Sequence, residues 1–113
     1  MISGAYVMIF TKNEAADRIF LRDVLEIPCI GDGEHWLTFK LPPTELGVHS
    51  HDQNDFHQIY FICDDLDATM KKLADKGVAC TEPMQASWGR ATSVPLPGGG
   101  KIGIYEAQHA RAH

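Results

Sequence analysis

Apolar and polar positions alternate along the chain in a plan that runs twice. Residues 5–11 (AYVMIFT) are continuously apolar, β-branched or aromatic, which predicts a buried strand. Thr11-Lys12-Asn13-Glu14 reads as a capping box opening a helix that runs to about Leu25. Ala16, Ile19, Phe20 and Val24 form its apolar face, Glu14, Asp17, Arg18 and Arg22 its polar face, and Pro28 closes it. Short strands follow at Cys29–Asp32, His35–Leu41 and Glu45–Ser50, with turns at Gly31-Asp32-Gly33 and Pro42-Pro43. His51–Asp55 is polar and joins the halves. The plan then repeats. Phe56–Cys63 is a strand, and Asp64 or Asp65 caps a helix lined by Leu66, Thr69, Met70 and Leu73 that stops at Lys76-Gly77. Val78–Thr81 is the next short strand, and a loop through Trp88-Gly89 leads to strands at Ala91–Leu96 and Lys101–Glu106, separated by Gly98-Gly99-Gly100. Gln108–His113 is polar and expected to fray.

The prediction is therefore α+β: two βαβββ modules, about 4–50 and about 56–107, forming one domain over residues 1–113. Their ends correspond, LPPTELGVHS with LPGGGKIGIYE. Strand parity sorts the side chains into two faces. Val7, Ile9, Ile59, Phe61, Cys63, Leu46, Val48, Ile102 and Ile104 form an aliphatic face for the helices. The opposite face carries Tyr6, Met8, Phe10, Gly47, His49, Gln58, Tyr60, Gly103 and Tyr105. Apolar walls with a few convergent polar groups suit a small-ligand pocket, so a curved mixed sheet, or cup, with helices on its outer face is expected to line one. The same side chains would equally suit a sheet–sheet or dimer core. Trp88 is a candidate wall at the pocket mouth or a cover for the sheet edge.

Composition narrows the partners. The net charge of −5, without a Lys/Arg cluster, argues against nucleic acid. No stretch reaches the roughly 20 apolar residues of a membrane span, and MISGAYVMIF lacks the features of a signal peptide. Cys29, Cys63 and Cys80 are odd in number with no C-x-x-C spacing, which predicts reduced, buried thiols and a cytoplasmic setting. The eight short strands leave edges to cover, so a homodimer is expected.

The repeated plan, with FLRDVLEIP ending the first helix and CDDLDATMKKLADKGV forming the second strand–helix corner, resembles the vicinal oxygen chelate superfamily over roughly residues 4–107. That superfamily includes glyoxalase I, extradiol dioxygenases and the bleomycin and fosfomycin resistance proteins, and the chain resembles its small single-domain branch. The resemblance implies a cup of two modules, usually completed by a second chain, and a divalent metal held at the first and last strands of each module to chelate two substrate oxygens. The family's four ligand positions fall on Tyr6, Gly47, Gln58 and Gly103, which departs from its His, Gln and Glu pattern. The expected function is binding of a small molecule against Tyr6, Met8, Phe10, His49, Gln58, Tyr60, Tyr105 and Trp88, with no metal at the usual positions. The alternative is a divalent-metal-dependent lyase or dioxygenase with a shifted His49, His57, Glu106 site. His49 with Tyr105 could serve acid–base chemistry, or His49 could be a packed histidine. Asp64, Asp65 and Asp67 are explained by helix capping, and Gly98-Gly99-Gly100 lacks the lysine and following helix of a phosphate loop.

Overall fold

The computed structural model describes residues 1, 3, 5–31 and 37–113. Helix α1 (Glu14–Ile19) begins at Asn13, whose Oδ1 accepts the Ala16 N–H at 3.1 Å. Asn13, and not Thr11, is thus the cap. The Thr11 hydroxyl lies one step back and accepts the Asn13 N–H at 3.3 Å. The helix continues as a π-helical turn over Phe20–Val24, where the Leu25 N–H reaches the Phe20 carbonyl. Strands β1 (Cys29–Gly31) and β2 (Leu37–Phe39) pair antiparallel with Ile30 opposite Thr38. The rest of the expected Gly31-Asp32-Gly33 turn, and His35 and Trp36 at the start of the second predicted strand, lie outside the described residues.

The second half forms its complete βαβββ unit: β3 (Tyr60–Cys63), α2 (Leu66–Asp75), β4 (Met84–Ala86), β5 (Gly89–Pro95) and β6 (Lys101–Ala107). Sheet order is β3-β6-β5-β4, with β3 parallel to β6 and the other pairs antiparallel. Of the two candidate caps, Asp65 serves α2, accepting the Ala68 N–H at 3.0 Å. Gly77, at φ +80°, takes the left-handed stop. Strand β4 arises inside the stretch expected to be a loop. Gly89 permits this, because a side chain there would overlap the Glu106 carbonyl where β5 runs closest to β6.

Helices and sheet share one core. Leu66 and Leu73 of α2 pack with Val94, Leu96, Ile102 and Ile104 of the β5–β6 hairpin, and Phe20 joins from the first helix. Ile59, Phe61 and Cys63 pack against this cluster, as strand parity predicted. Burial pushes the Cys63 and Cys80 thiols up, as befits small apolar residues. Polar ties also join the halves. Asp17, only 4% exposed, accepts the Gly98 N–H through Oδ1 at 2.7 Å, while its Oδ2 has no hydrogen-bond partner. Lys72 Nζ donates to Glu26 at 2.7 Å.

Of the expected strands, Val78–Thr81 gives way to β4 a few residues later, and two others do not form. Residues 5–11 and 45–50 join neither sheet. Leu46 and Val48, expected under the helices, are each 93% exposed, and Phe10 is 88% exposed. Their side chains have strand character, but a strand exists only when its N–H and C=O groups find a neighbouring ladder. Among the described residues of a single chain neither segment has one, and β3 remains a sheet edge.

Candidate functional site

The face of the β3–β6–β5 sheet turned away from the helices is built by parity. Tyr60 pairs with Gly103, Gly103 with Ser93, and Tyr105 with Ala91, so these residues share the side opposite Ile102 and Ile104. Gly103 is required here. A Cβ at that position would overlap the Tyr60 ring, which lies across the glycine. Tyr60 therefore leans toward Tyr105, and their rings meet edge-to-face at 5.7 Å. Trp88, in the β4–β5 turn, closes the group edge-to-face with Tyr105 at 5.3 Å and with Tyr60 at 6.2 Å. Such edge-to-face contacts align ring edges with the π faces of their neighbours and hold the rings at defined angles. Further along the same face Ser93, Pro95 and Lys101 border an open depression of about 480 Å³.

Three of the expected lining residues, Tyr60, Trp88 and Tyr105, are thus brought together. The others are not: Tyr6, Met8, Phe10, His49 and Gln58 are solvent-exposed in irregular segments. His49 and His57 also stand exposed, and Glu106 shares strand parity with Ile102 and Ile104 on the helix side, opposite Arg90. Among the described residues no three His, Cys, Asp or Glu side chains are grouped closely enough to hold a metal ion, so His49, His57 and Glu106 do not converge. The physical reason is the parity of β6, which puts Glu106 and Tyr105 on opposite faces.

A further residue emerges that the sequence reading passed over. Residues 108–113, expected to fray, are tied down. His109 stacks on Tyr105 with centroids 5.8 Å apart, and its Nε2 lies 3.0 Å from the Tyr105 hydroxyl. His109 Nδ1 contacts the Ala110 carbonyl at 2.8 Å. A carbonyl oxygen only accepts, so Nδ1 carries the proton, and in the neutral ring Nε2 accepts from Tyr105. Beyond it, Arg111 Nε donates to Glu45 Oε2 at 2.6 Å, and the Ala112 N–H donates to Glu45 Oε1. The only sequence signal was spacing: His109 keeps the parity of Tyr105.

The Ala112 N–H, and then the Arg111 guanidinium, hold the Glu45 carboxyl below the usual carboxylate range. A depressed folded pKa contributes stability that is present above the unfolded value, about 4.3, and is lost as pH falls through the folded value. Acidification below about pH 4 is therefore expected to release residues 109–113. Amide resonances of Ala112 followed from pH 6 downward should move with a midpoint below the unfolded carboxylate value; a pH-invariant Ala112 signal would show that Glu45 does not hold the segment.

No protein-family model matches the chain, and none of the curated proteins matches it either. Solved structures do. An antibiotic binding protein, TnmS3, from Streptomyces sp. CB03234 superposes with TM-score 0.65 at 20% identity, over 96% of this chain and 100% of that one. A member of the glyoxalase/bleomycin resistance protein/dioxygenase superfamily from Sphaerobacter thermophilus superposes with TM-score 0.59 at 26% identity, over 90% and 97%. The fosfomycin resistance protein FosX from Mesorhizobium loti superposes with TM-score 0.61 at 15% identity, over 96% and 95%.

Proposed function

Starting from the fold of the vicinal oxygen chelate superfamily, which this chain has, we propose that it binds a small molecule through a flat or apolar group laid against Tyr60, Trp88 and Tyr105. The observation that carries this reading is the three-ring cluster on the helix-free face of the sheet. Fixed aromatic edges and faces with two phenolic hydroxyls suit recognition of an organic ligand better than they suit bond-making chemistry. Two of the proteins sharing the fold are described by antibiotic binding and bleomycin resistance, and that class of ligand fits this face. The net charge of −5 favours a cationic member of the class.

The binding works without a resident metal. Of the four family ligand positions, Gly47 and Gly103 offer no side chain, and the space beside Gly103 is filled by the Tyr60 ring. Tyr6 and Gln58 alone make a poor donor set for a divalent ion. Elemental analysis of protein purified without added metal should find less than stoichiometric iron, zinc, nickel or manganese. A full equivalent that disappears on His57→Ala or Glu106→Ala would instead establish the metal-dependent lyase or dioxygenase reading.

The binding unit is a homodimer. Residues 5–11 and 45–50 carry strand-type sequences with large apolar side chains in solvent, and β3 offers an unpaired edge. A chain that presents both an unsatisfied strand and an unsatisfied edge is self-complementary, and a second copy covers both. In that assembly Tyr6, Met8 and Phe10 can reach the aromatic face they fail to reach in one chain. Sedimentation equilibrium is expected to give a dimer, and Phe10→Asp with Val48→Asp to give monomer; a wild-type monomer at about 100 μM, far above the Kd of a specific interface, would sink the dimer. The three free cysteines support a cytoplasmic setting.

Bleomycin is the probe for the binding reading. Calorimetric titration of the wild-type chain is expected to show saturable binding, weakened about fivefold to tenfold by Trp88→Ala, in line with the worth of an aromatic contact of about 1 kcal/mol. Equal affinity in the variant would remove the cluster from the site.

A further inference from the structure

Residues 109–113 pack back against the aromatic face and residues 44–45. We propose that the imidazole of His109 occupies the ring subsite of the aromatic face, so that the ligand group it excludes is a planar nitrogen heteroaromatic able to hydrogen-bond the Tyr105 hydroxyl. This rests on the reading of that face as a binding site and names the chemistry it selects.

The argument is geometric. A planar five-membered ring lies stacked on Tyr105, interplanar angle 24°, with a ring nitrogen 3.0 Å from the phenolic oxygen. The other rings of the cluster stand nearly perpendicular to Tyr105, Tyr60 at 87° and Trp88 at 85°. The ring that lies nearly parallel to Tyr105 is thus a nitrogen heterocycle of the chain itself. The tail is held there from a distance. Arg111 and the Ala112 amide clasp Glu45, and His113 Nε2 donates to the Thr44 carbonyl at 3.2 Å, so the segment crosses from the end of β6 to residues 44–45. Those anchors are a few polar contacts that solvent still reaches, with the Arg111 side chain 33% and the Glu45 side chain 20% exposed, and each such contact contributes little in water. A strap made of such contacts holds His109 over Tyr105 and still releases it when a ring of higher affinity arrives. Its occupancy lowers the apparent affinity of any competitor by the fraction of molecules with the strap open.

Benzimidazole, a planar nitrogen heterocycle, serves as the probe, and the ring resonances of Tyr105 and Trp88 report its binding. His109→Ala is expected to bind it at least threefold more tightly than wild type. Arg111→Ala, which keeps the imidazole and loosens the strap, should give a smaller gain in the same direction. Without any ligand, both substitutions should raise the rate at which tetranitromethane nitrates Tyr105, with N-acetyltyrosine amide in the same solution as the reference. Equal affinity in wild type and His109→Ala, or binding whose shifts avoid Tyr105, overturns the subsite. An unchanged Tyr105 nitration rate in both variants overturns the strap. Bleomycin binding that depends on Trp88 alongside a failed benzimidazole series would leave the face as a binding site and remove His109 from it. No bleomycin binding at all would remove the binding reading, while the nitration rates still decide the strap.

Discussion

Leu66→Ala is expected to lower the unfolding free energy by about 2–5 kcal/mol, the largest effect of any single truncation in the chain. Leu66 has no exposed surface and opens α2 at the point where the helix meets Val94, Ile102 and Ile104. Removing its isobutyl group forfeits the transfer free energy of the buried carbons and leaves a cavity between a helix and a hairpin that are both pinned. Asp65 caps the helix, and the β5–β6 ladder fixes the hairpin, so neither side can close far. A domain of this size has about 5–15 kcal/mol in total, so the variant should lose a large part of its stability. Urea unfolding followed by far-ultraviolet circular dichroism measures it. A loss of less than about 1 kcal/mol would mean the core does not centre on this helix.

Gly103→Ala is expected to be the most disruptive substitution on the aromatic face. The new methyl would occupy the space of the Tyr60 ring. Inserting a methyl into filled space costs about 1–3 kcal/mol. The cheapest relief is for Tyr60, at the sheet edge, to swing outward into solvent. That movement breaks both edge-to-face contacts of Tyr60, to Tyr105 and to Trp88. Near-ultraviolet circular dichroism should lose the tyrosine and tryptophan bands that depend on fixed rings, while far-ultraviolet signal persists. Bleomycin affinity should fall by at least the tenfold that about 1.4 kcal/mol represents. Unchanged aromatic bands would show that Tyr60 does not lie over Gly103.

These two positions also mark how far the sequence could be read. The period of Leu66, Met70 and Leu73 and the alternation of Ile102, Gly103, Ile104 and Tyr105 depend only on local geometry, 3.6 residues per helical turn and two per strand repeat. The helix, the hairpin and the division into an aliphatic and an aromatic face follow from them, and Tyr60 and Tyr105 were accordingly legible as site candidates, whereas Trp88 was a candidate only through its place beside a turn. Glu106 illustrates the same rule in reverse. Its odd register against Tyr105 was visible beforehand, and β6 places it with the core-facing residues.

Where a contact depends on which segments find each other, local pattern was silent or misleading. Residues 5–11 and 45–50 have the composition of strands, yet no ladder within one chain receives them. The polar stretch 108–113 has the composition of a frayed end, yet Glu45 and Tyr105 hold it. Gly103 looked like an absent ligand, and the fold makes it the floor under a tyrosine ring. The helix faces and the parity of the strands are set by neighbours along the chain and could be read from it. That three aromatic rings converge, that His109 stacks against one of them and that residues 5–11 and 45–50 join neither sheet follow from the three-dimensional arrangement. The ring cluster and the bond from Arg111 to Glu45 join residues far apart in the chain, where the cost of ordering the backbone between them must be offset by contacts that no local pattern records.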